Sequence, residues 1–162
     1  LVYRIAQTKS MRLISLILFM LMITLGCSKP QPKAIAYGKA ECAHCNMLIT
    51  DKKFGAELVT DKGRYYFFDS AECLFDYLKE NSDLKYTHIL VTHFTQPDLL
   101  ADAATSFYVI SPELPSPMGA FLTAYPTAEI AQKFAAKHRG EVFSFQQLQE
   151  KFSFNATIVF PN

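Results

Sequence analysis

The sequence predicts an α+β fold in which two small units each combine short strands with one main helix. Short β-rich runs outnumber helical segments, and the two do not alternate regularly as they would in a doubly wound parallel sheet. A strand-rich stretch followed by a well-capped helix occurs at residues 56–79 and partly recurs at residues 119–137. The chain that follows the N-terminal apolar run is long enough for one compact domain or two very small ones.

The first unit is predicted to begin with a β-hairpin over residues 56–68. Apolar and aromatic residues flank the turn sequence Asp61-Lys62-Gly63, which is typical of a short hairpin connection. Asp69-Ser70 then supplies side chains that cap helix N-termini. The apolar spacing that follows predicts a helix over residues 71–79.

The rest of the chain is divided by clusters of proline, glycine, aspartate and serine, which indicate turns. Runs rich in β-branched and aromatic residues between them indicate strands. The predicted elements are a strand at 86–94, a loop at 96–104, a strand at 106–110, a turn-rich stretch at 111–117, a strand at 119–125, a helix at 128–137 with Thr127 as N-cap, a strand at 141–145 and a short helix at 145–151.

Residues 1–27 are predicted to be a lipoprotein signal segment. A basic residue precedes an apolar run at 13–23, which is too short for a comfortable membrane span. The junction Leu25-Gly26-Cys27 resembles a bacterial lipobox, so Cys27 is the predicted lipidation site; the other interpretation is an uncleaved N-terminal anchor. Met11 offers a second start, which would leave residues 1–10 outside the translated protein.

Both interpretations place the remainder of the chain in the cell envelope, facing the periplasm or the exterior. Residues 28–40 are predicted to be a tether, residues 41–100 an N-terminal lobe with a Cys/Met motif, and residues 101–162 a C-terminal lobe with a loop around Met118. The net charge of +1 provides no basic footprint for nucleic acid.

Residues 41–47 concentrate soft metal donors in one short stretch. The segment holds Cys42, His44, Cys45 and Met47. Thiolate and thioether donors together favour Cu(I) over hard cations, whereas zinc has no use for a thioether and a redox dithiol would use only the cysteines. The chemistry therefore depends on whether Met47 is a ligand or fills the core.

Met118 is a second candidate thioether ligand. It lies between Pro117 and Gly119 on a predicted loop apex, where a methionine is a poor core residue and a better donor. Cys42 and His44 are further candidate ligands, although His44 in an extended segment would face away from the neighbouring thiol of Cys45.

The other sulfur and imidazole groups are expected to be structural. Cys73 on the first helix is expected to behave as a small buried hydrophobe. His88 and His93 are expected to be satisfied histidines on an apolar strand. His138 lies at a helix C-terminus, where an imidazolium is favourable.

Two other functions remain open from the residues alone. With Cys27 assigned to the lipid, an odd number of cysteines remains, which fits a site better than a disulfide framework. Cys42 and Cys45 could form a thiol–disulfide redox pair, or Cys73 with His88 or His93 could complete a structural zinc site.

The sequence has no Ser-His-Asp order, glycine-rich phosphate loop or H-E-x-x-H motif, so no enzyme is predicted.

A series of short motifs connects most of the chain to a known family. They are, in order, Cys42-Ala43-His44-Cys45-Asn46-Met47-Leu48-Ile49, Gly55-Ala56-Glu57-Leu58, Phe68-Asp69-Ser70, Glu72-Cys73-Leu74, Tyr108-Val109 and Ser116-Pro117-Met118-Gly119. In order and spacing they resemble the NosL family, lipid-anchored copper chaperones that help to assemble the copper centres of nitrous oxide reductase.

The resemblance implies a two-lobed fold of small ββα-type units, similar to the organomercurial lyase fold. It also implies Cu(I) as the bound metal, with Cys45 and Met47 as ligands and Met118 as a third. The implied partners are nitrous oxide reductase or its maturation and ABC-transporter complex, and the membrane through the lipid anchor. One departure is Asn46, which replaces the glycine of the family's C-G-M motif; asparagine tolerates left-handed backbone angles better than most residues.

Overall fold

The computed structural model describes residues 30–154, which form a mixed sheet with helices packed against it. Its elements are β1 (Ala56–Thr60), β2 (Tyr65–Phe68), α1 (Ala71–Glu80), β3 (Tyr86–His93), β4 (Gln96–Asp102), β5 (Phe107–Ile110), β6 (Leu122–Tyr125), α2 (Ala128–Lys137), β7 (Glu141–Ser144) and α3 (Phe145–Phe152). The predicted α+β class is confirmed.

Two ββα units share one sheet. The strand order is β2-β1-β3-β6-β5-β7, and β4 pairs with β3 beside this path. All pairings are antiparallel except that of β3 with β6, which meet through the single residue pair His93 and Ala124. The hairpin β1–β2 is followed by α1, and the hairpin β5–β6 is followed by α2, so the strand–strand–helix order occurs twice.

Each unit has its own buried cluster. The larger core surrounds α1 and also takes in α3 and the inner strands, with Phe75 at its centre. The smaller core packs Ala131 and Ala135 of α2 against Val109 and Tyr125. Because helix α1 is packed in the larger core, the residues at its N-terminal end are held in a fixed position relative to that core.

The local signals for helix starts are confirmed. The Ser70 side chain accepts a hydrogen bond from the backbone N–H of Cys73 (3.4 Å), and Thr127 accepts one from Ile130 (3.3 Å). Each cap satisfies a donor that a helix leaves unpaired at its first turn. At the hairpin turn, Gly63 adopts φ +73°, a left-handed conformation that glycine accepts without strain.

The prediction of a loop at residues 96–104 is wrong, because Gln96–Asp102 forms strand β4. Its side chains are largely exposed, so it lacks the apolar alternation that identifies a strand from sequence. Backbone pairing with β3 creates the strand, and Pro97 is tolerated on a strand with an exposed edge.

The predicted tether joins the fold earlier than residue 40. The backbone N–H of Lys33 donates to Oε1 of the buried Glu57 at 2.9 Å, and Ile35 lies in the larger core. The predicted signal segment and Cys27 lie outside the described residues. Between residues 30 and 154, no helix is long and apolar enough to cross a membrane.

His93 is a buried imidazole at the junction of the two units. Its Nε2 lies 2.9 Å from the Ser106 hydroxyl, and its Nδ1 has no partner in the described residues. The expectation of a satisfied histidine therefore holds for one ring nitrogen of His93 and not for the other. Burial lowers the pKa of His93, because the charged imidazolium is poorly solvated there.

We expect this histidine to make the protein less stable in mild acid. Below about pH 6.5 the unfolded chain binds a proton that the folded chain refuses, so the free energy of unfolding falls as pH drops, by at most about 1.4 kcal/mol per pH unit. Urea unfolding of wild type and His93→Gln between pH 7.5 and 5.5 measures this slope. His88→Gln, on the same strand but partly exposed, controls for loss of an imidazole; equal slopes in all three proteins would contradict the prediction.

Candidate metal centre

Four side chains converge at one end of the β1–β2 hairpin. The sulfurs of Cys42, Cys45 and Cys73 and a carboxylate oxygen of Asp69 all lie within 4.8 Å of one another. All three cysteines in the described part of the chain are free thiols. The cluster combines a short loop before β1 with the first turn of α1.

Backbone hydrogen bonds shape the loop that carries Cys42 and Cys45. The N–H of Cys42 donates to the carbonyl of Met47 (2.8 Å), and the N–H of Asn46 donates to the carbonyl of Cys42 (2.9 Å). Asn46 has φ +61°, so the residue that replaces the family glycine does take the left-handed conformation. The turn brings the two thiols to the same side.

The loop is fastened to the segment that supplies the other two donors. The N–H of Ala43 donates to the carbonyl of Phe67 at 2.8 Å, next to the end of β2. Asp69 follows β2 directly, and Cys73 lies in the first turn of α1, held by the Ser70 cap. The Ala43–Phe67 hydrogen bond therefore positions the loop with Cys42 and Cys45, and the Ser70 cap positions the helix turn with Cys73. Asp69 lies directly between β2 and that turn.

The hydrogen bond between the buried thiols of Cys42 and Cys73 moves their pKa values in opposite directions. The Cys73 thiol donates to the Cys42 sulfur, and this lowers the pKa of Cys42 to about 5 against the opposing effect of burial. Backbone amides of Cys45, Asp69 and His44 add to the stabilisation of the Cys42 thiolate. The same contact raises the pKa of Cys73. The contact therefore favours ionisation of Cys42 over ionisation of Cys73.

The other two donors differ in their access to solvent. Burial is the main cause of a raised pKa at Cys45, whose side chain remains partly exposed. Asp69 is buried, and its Oδ1 has no hydrogen-bond partner in the described residues. An unpaired buried carboxylate oxygen is costly, which is what a site built to receive a cation would show.

The predicted thioether ligands lie at the surface. Met47 is 48% exposed and Met118 is 42% exposed. Met47 is two residues from Cys45, whereas Met118 lies in the loop between β5 and β6. The Ser116 hydroxyl of that loop donates to Oε1 of the buried Glu72, which also accepts the N–H of Leu122 at 3.3 Å.

These hydrogen bonds connect the Met118 loop to helix α1, which also carries Cys73. Glu72 precedes Cys73 in the first turn of α1, so the loop is fastened to the turn that carries a donor. The exposure of Met118 agrees with the expectation that it is not a core residue. The loops that carry the two thioethers therefore both flank the N-terminal end of α1.

His44 lies outside the four-donor cluster. Its Nδ1 is 3.5 Å from Glu80 and its Nε2 is 4.0 Å from Asp76, so its ring follows the outer side of α1. His138 caps the C-terminus of α2 with its Nδ1 3.7 Å from Glu113, which confirms its structural role.

Sequence reasoning did not single out Asp69, and it gave Cys73 a role as a ligand only in the structural zinc alternative. Cys73 is buried as expected, but its thiol joins the other two rather than serving only as core filler. The odd number of cysteines was the available signal. His88 and His93, the histidines that could have completed a zinc site with Cys73, are not in the described cluster.

Comparison with known proteins places the chain in a family. The family model named NosL matches residues 33–153. The chain belongs to the NosL family. It is 29% identical over 118 residues to a curated protein named copper-binding lipoprotein NosL from Stutzerimonas stutzeri, covering 68% of this chain and 62% of that relative. The chain thus spans a little under two thirds of the relative's length.

The fold has a solved counterpart. The crystal structure of the copper chaperone NosL from Shewanella denitrificans matches with a TM-score of 0.65 and 21% sequence identity, covering 74% of this chain and 96% of that one. At this identity the match establishes the fold alone. It confirms the architecture that the motif resemblance implied.

Proposed function

We propose that this protein is a Cu(I) metallochaperone of the cell envelope, with Cys45, Met47 and Met118 as the ligands from which copper is handed over. The proposal is supported by the partial exposure of Cys45, the exposure of Met47 and Met118, and the hydrogen bond from Ser116 to Glu72 that connects the Met118 loop to the first turn of α1. Family membership supports copper as the metal. Soft sulfur donors support the Cu(I) state.

Surface thioethers suit delivery better than storage. A low-coordinate Cu(I) ion with weak thioether ligands can be attacked by a partner's ligands before its own have left. Each transfer exchanges Cu–S bonds without changing the oxidation state, so the protein performs no catalysis. The recipient in this proposal is nitrous oxide reductase or its maturation and ABC-transporter complex, where copper is needed for the enzyme's centres.

The proposed location is a membrane surface of the cell envelope that faces the periplasm or the exterior. Lipid attachment at Cys27 would hold the folded part near that surface through a short polar linker. The curated relative is itself named a lipoprotein. Mass spectrometry of the mature N-terminus tests this, since an acylated Cys27 adds a diagnostic mass.

We expect one equivalent of Cu(I) to shift the methyl signals of Met47 and Met118 in the spectrum of reduced protein labelled with ¹³C-methyl methionine. Thioether coordination changes the electronic surroundings of the methyl group, and Met47→Leu and Met118→Leu assign the signals. Zn(II) should shift neither signal by coordination, because zinc does not use thioethers. Unchanged Met47 and Met118 signals at saturating Cu(I) would contradict the proposed ligand set.

A structural zinc site has one observation in its favour, which is the three-thiol and one-carboxylate donor set. It makes a different prediction. Structural zinc contributes to folding, so a chelator would unfold the protein. A metal-free protein that keeps its circular dichroism spectrum and its cooperative melt would exclude that role.

A further inference from the structure

We propose, on the basis of the function above, that this centre holds copper at two positions that share the Cys45 sulfur. The inner position is formed with Cys42 and Cys73. The outer position is formed with Met47 and Met118. Copper exchanges between the two positions: it favours the inner one and is presented to a partner at the outer one, where part of the bound copper contacts the two thioethers.

A gradient of exposure separates the two sets of donors. Cys42 and Cys73 are 1% and 0% exposed, whereas Met47 and Met118 are 48% and 42% exposed. A partner's side chain cannot reach a metal held by the first pair, but it can reach one held by the second. Cys45 is partly exposed and lies within 4.8 Å of both buried sulfurs, so it alone can serve both positions.

The spacing of the inner sulfurs fits a metal. A metal–sulfur bond of about 2.3 Å separates two sulfurs on one ion by about 4 Å, and the three thiol sulfurs here already lie within 4.8 Å. A small contraction would complete a three-coordinate site. Beside these sulfurs, the buried Oδ1 of Asp69 has no hydrogen-bond partner in the described residues.

Donor chemistry ranks the two positions. Thiolates bind Cu(I) more strongly than neutral thioethers do, because they add charge attraction to soft covalent bonding. The inner position therefore retains the metal, and the outer one gives it up readily. A buried resting place also keeps the ion away from adventitious ligands while the protein waits for its partner.

The exchange between positions balances in atoms and electrons. Moving outward, copper breaks its bonds to Cys42 and Cys73, forms bonds to Met47 and Met118, and keeps its bond to Cys45. One proton from solvent restores the S–H···S contact between the two buried sulfurs, and inward movement releases that proton. Copper remains Cu(I) throughout, so no oxidant or reductant takes part.

The test combines affinity with the methionine signals in the reduced mature protein. Cu(I) is titrated anaerobically against a chromophoric competitor, using wild type, Cys42→Ala and Cys73→Ala. We expect each alanine variant to bind Cu(I) at least about tenfold more weakly than wild type, since it loses the strongest ligands. We also expect larger methyl shifts of Met47 and Met118 at saturation in these variants, because the loss of one buried thiolate weakens the inner position and moves copper toward the outer one.

A matched control separates ligand loss from damage to the core. Ile49→Val removes one methyl group from the same buried cluster without touching a donor atom, and it should leave both readouts unchanged. Wild-type affinity and unchanged methyl shifts in both alanine variants would overturn the inner position and leave the proposed function standing. Copper binding that depends on Cys42 yet never shifts the methionine signals would overturn the outer position and, with it, the ligand set of the proposed function. No Cu(I) binding by any form would defeat the proposed function itself.

Discussion

Cys45→Ser should lower Cu(I) affinity more than any other single change, by about 100-fold or more. Loss of groups that merely orient metal ligands costs about 10- to 100-fold, and Cys45 is a ligand itself at both proposed positions. Serine keeps the shape of the side chain but replaces a soft sulfur with a hard oxygen, which Cu(I) binds poorly. The anaerobic competition titration measures the change directly.

The fold should survive this substitution. Cys45 is partly exposed, and the turn around it depends on backbone hydrogen bonds of Cys42 and Asn46. Substitutions at such places typically change the free energy of unfolding by no more than about 0.5 kcal/mol. A Cys45→Ser protein with wild-type copper affinity would contradict the assignment, and an unfolded one would contradict the structural argument; the two failures are told apart by circular dichroism.

The order of effects is as informative as their size. If Cys45 is shared, Cys45→Ser lowers the Cu(I) affinity more than Cys42→Ala does. Cys42→Ala in turn lowers it more than Met118→Leu does, because the thioether position contributes least to the affinity at equilibrium. If copper is bound only by Cys45, Met47 and Met118, then Met118→Leu lowers the affinity more than Cys42→Ala does, because Cys42 is not a ligand. The same titration series therefore discriminates between one copper position and two.

The helices that hold the site were predictable because their signals are local. Ser70 and Thr127 each precede an apolar helical repeat, and a cap needs only a side chain and an N–H three residues later. Strand β4 was not predictable, because nothing in Gln96–Asp102 marks a strand. Its structure comes from pairing with β3, which is a tertiary effect.

The site was half visible in the sequence for the same reason. Cys42, Cys45 and Met47 lie within six residues, so their chemistry can be seen directly. Asp69 and Cys73 join them only because the Ala43 N–H pairs with the Phe67 carbonyl and so brings the loop to the start of α1. Such a contact between distant segments leaves no pattern in one chain.

Phe75→Ala should destabilise the fold severely, by about 3–5 kcal/mol. Phe75 is fully buried on α1. Its ring lies 4.6 Å from that of Phe154 and about 6 Å from those of Tyr108, Phe145 and Phe152. One aromatic side chain thus joins α1 to β5, to α3 and to the segment after α3.

The copper site depends on this packing, because α1 carries Cys73. A loss of 3–5 kcal/mol is a large part of the total stability of about 5–15 kcal/mol that domains possess, and urea unfolding would show it as a midpoint lowered by about 2 M. Copper at 100 times its dissociation constant would restore about 2.7 kcal/mol by binding the folded state alone. Leu99→Ala, which truncates an exposed side chain on β4, is the control and should barely move the midpoint. A Phe75→Ala protein that loses less than about 1 kcal/mol would mean that α1 is held by its capping and strand contacts, and that the aromatic cluster does not position Cys73.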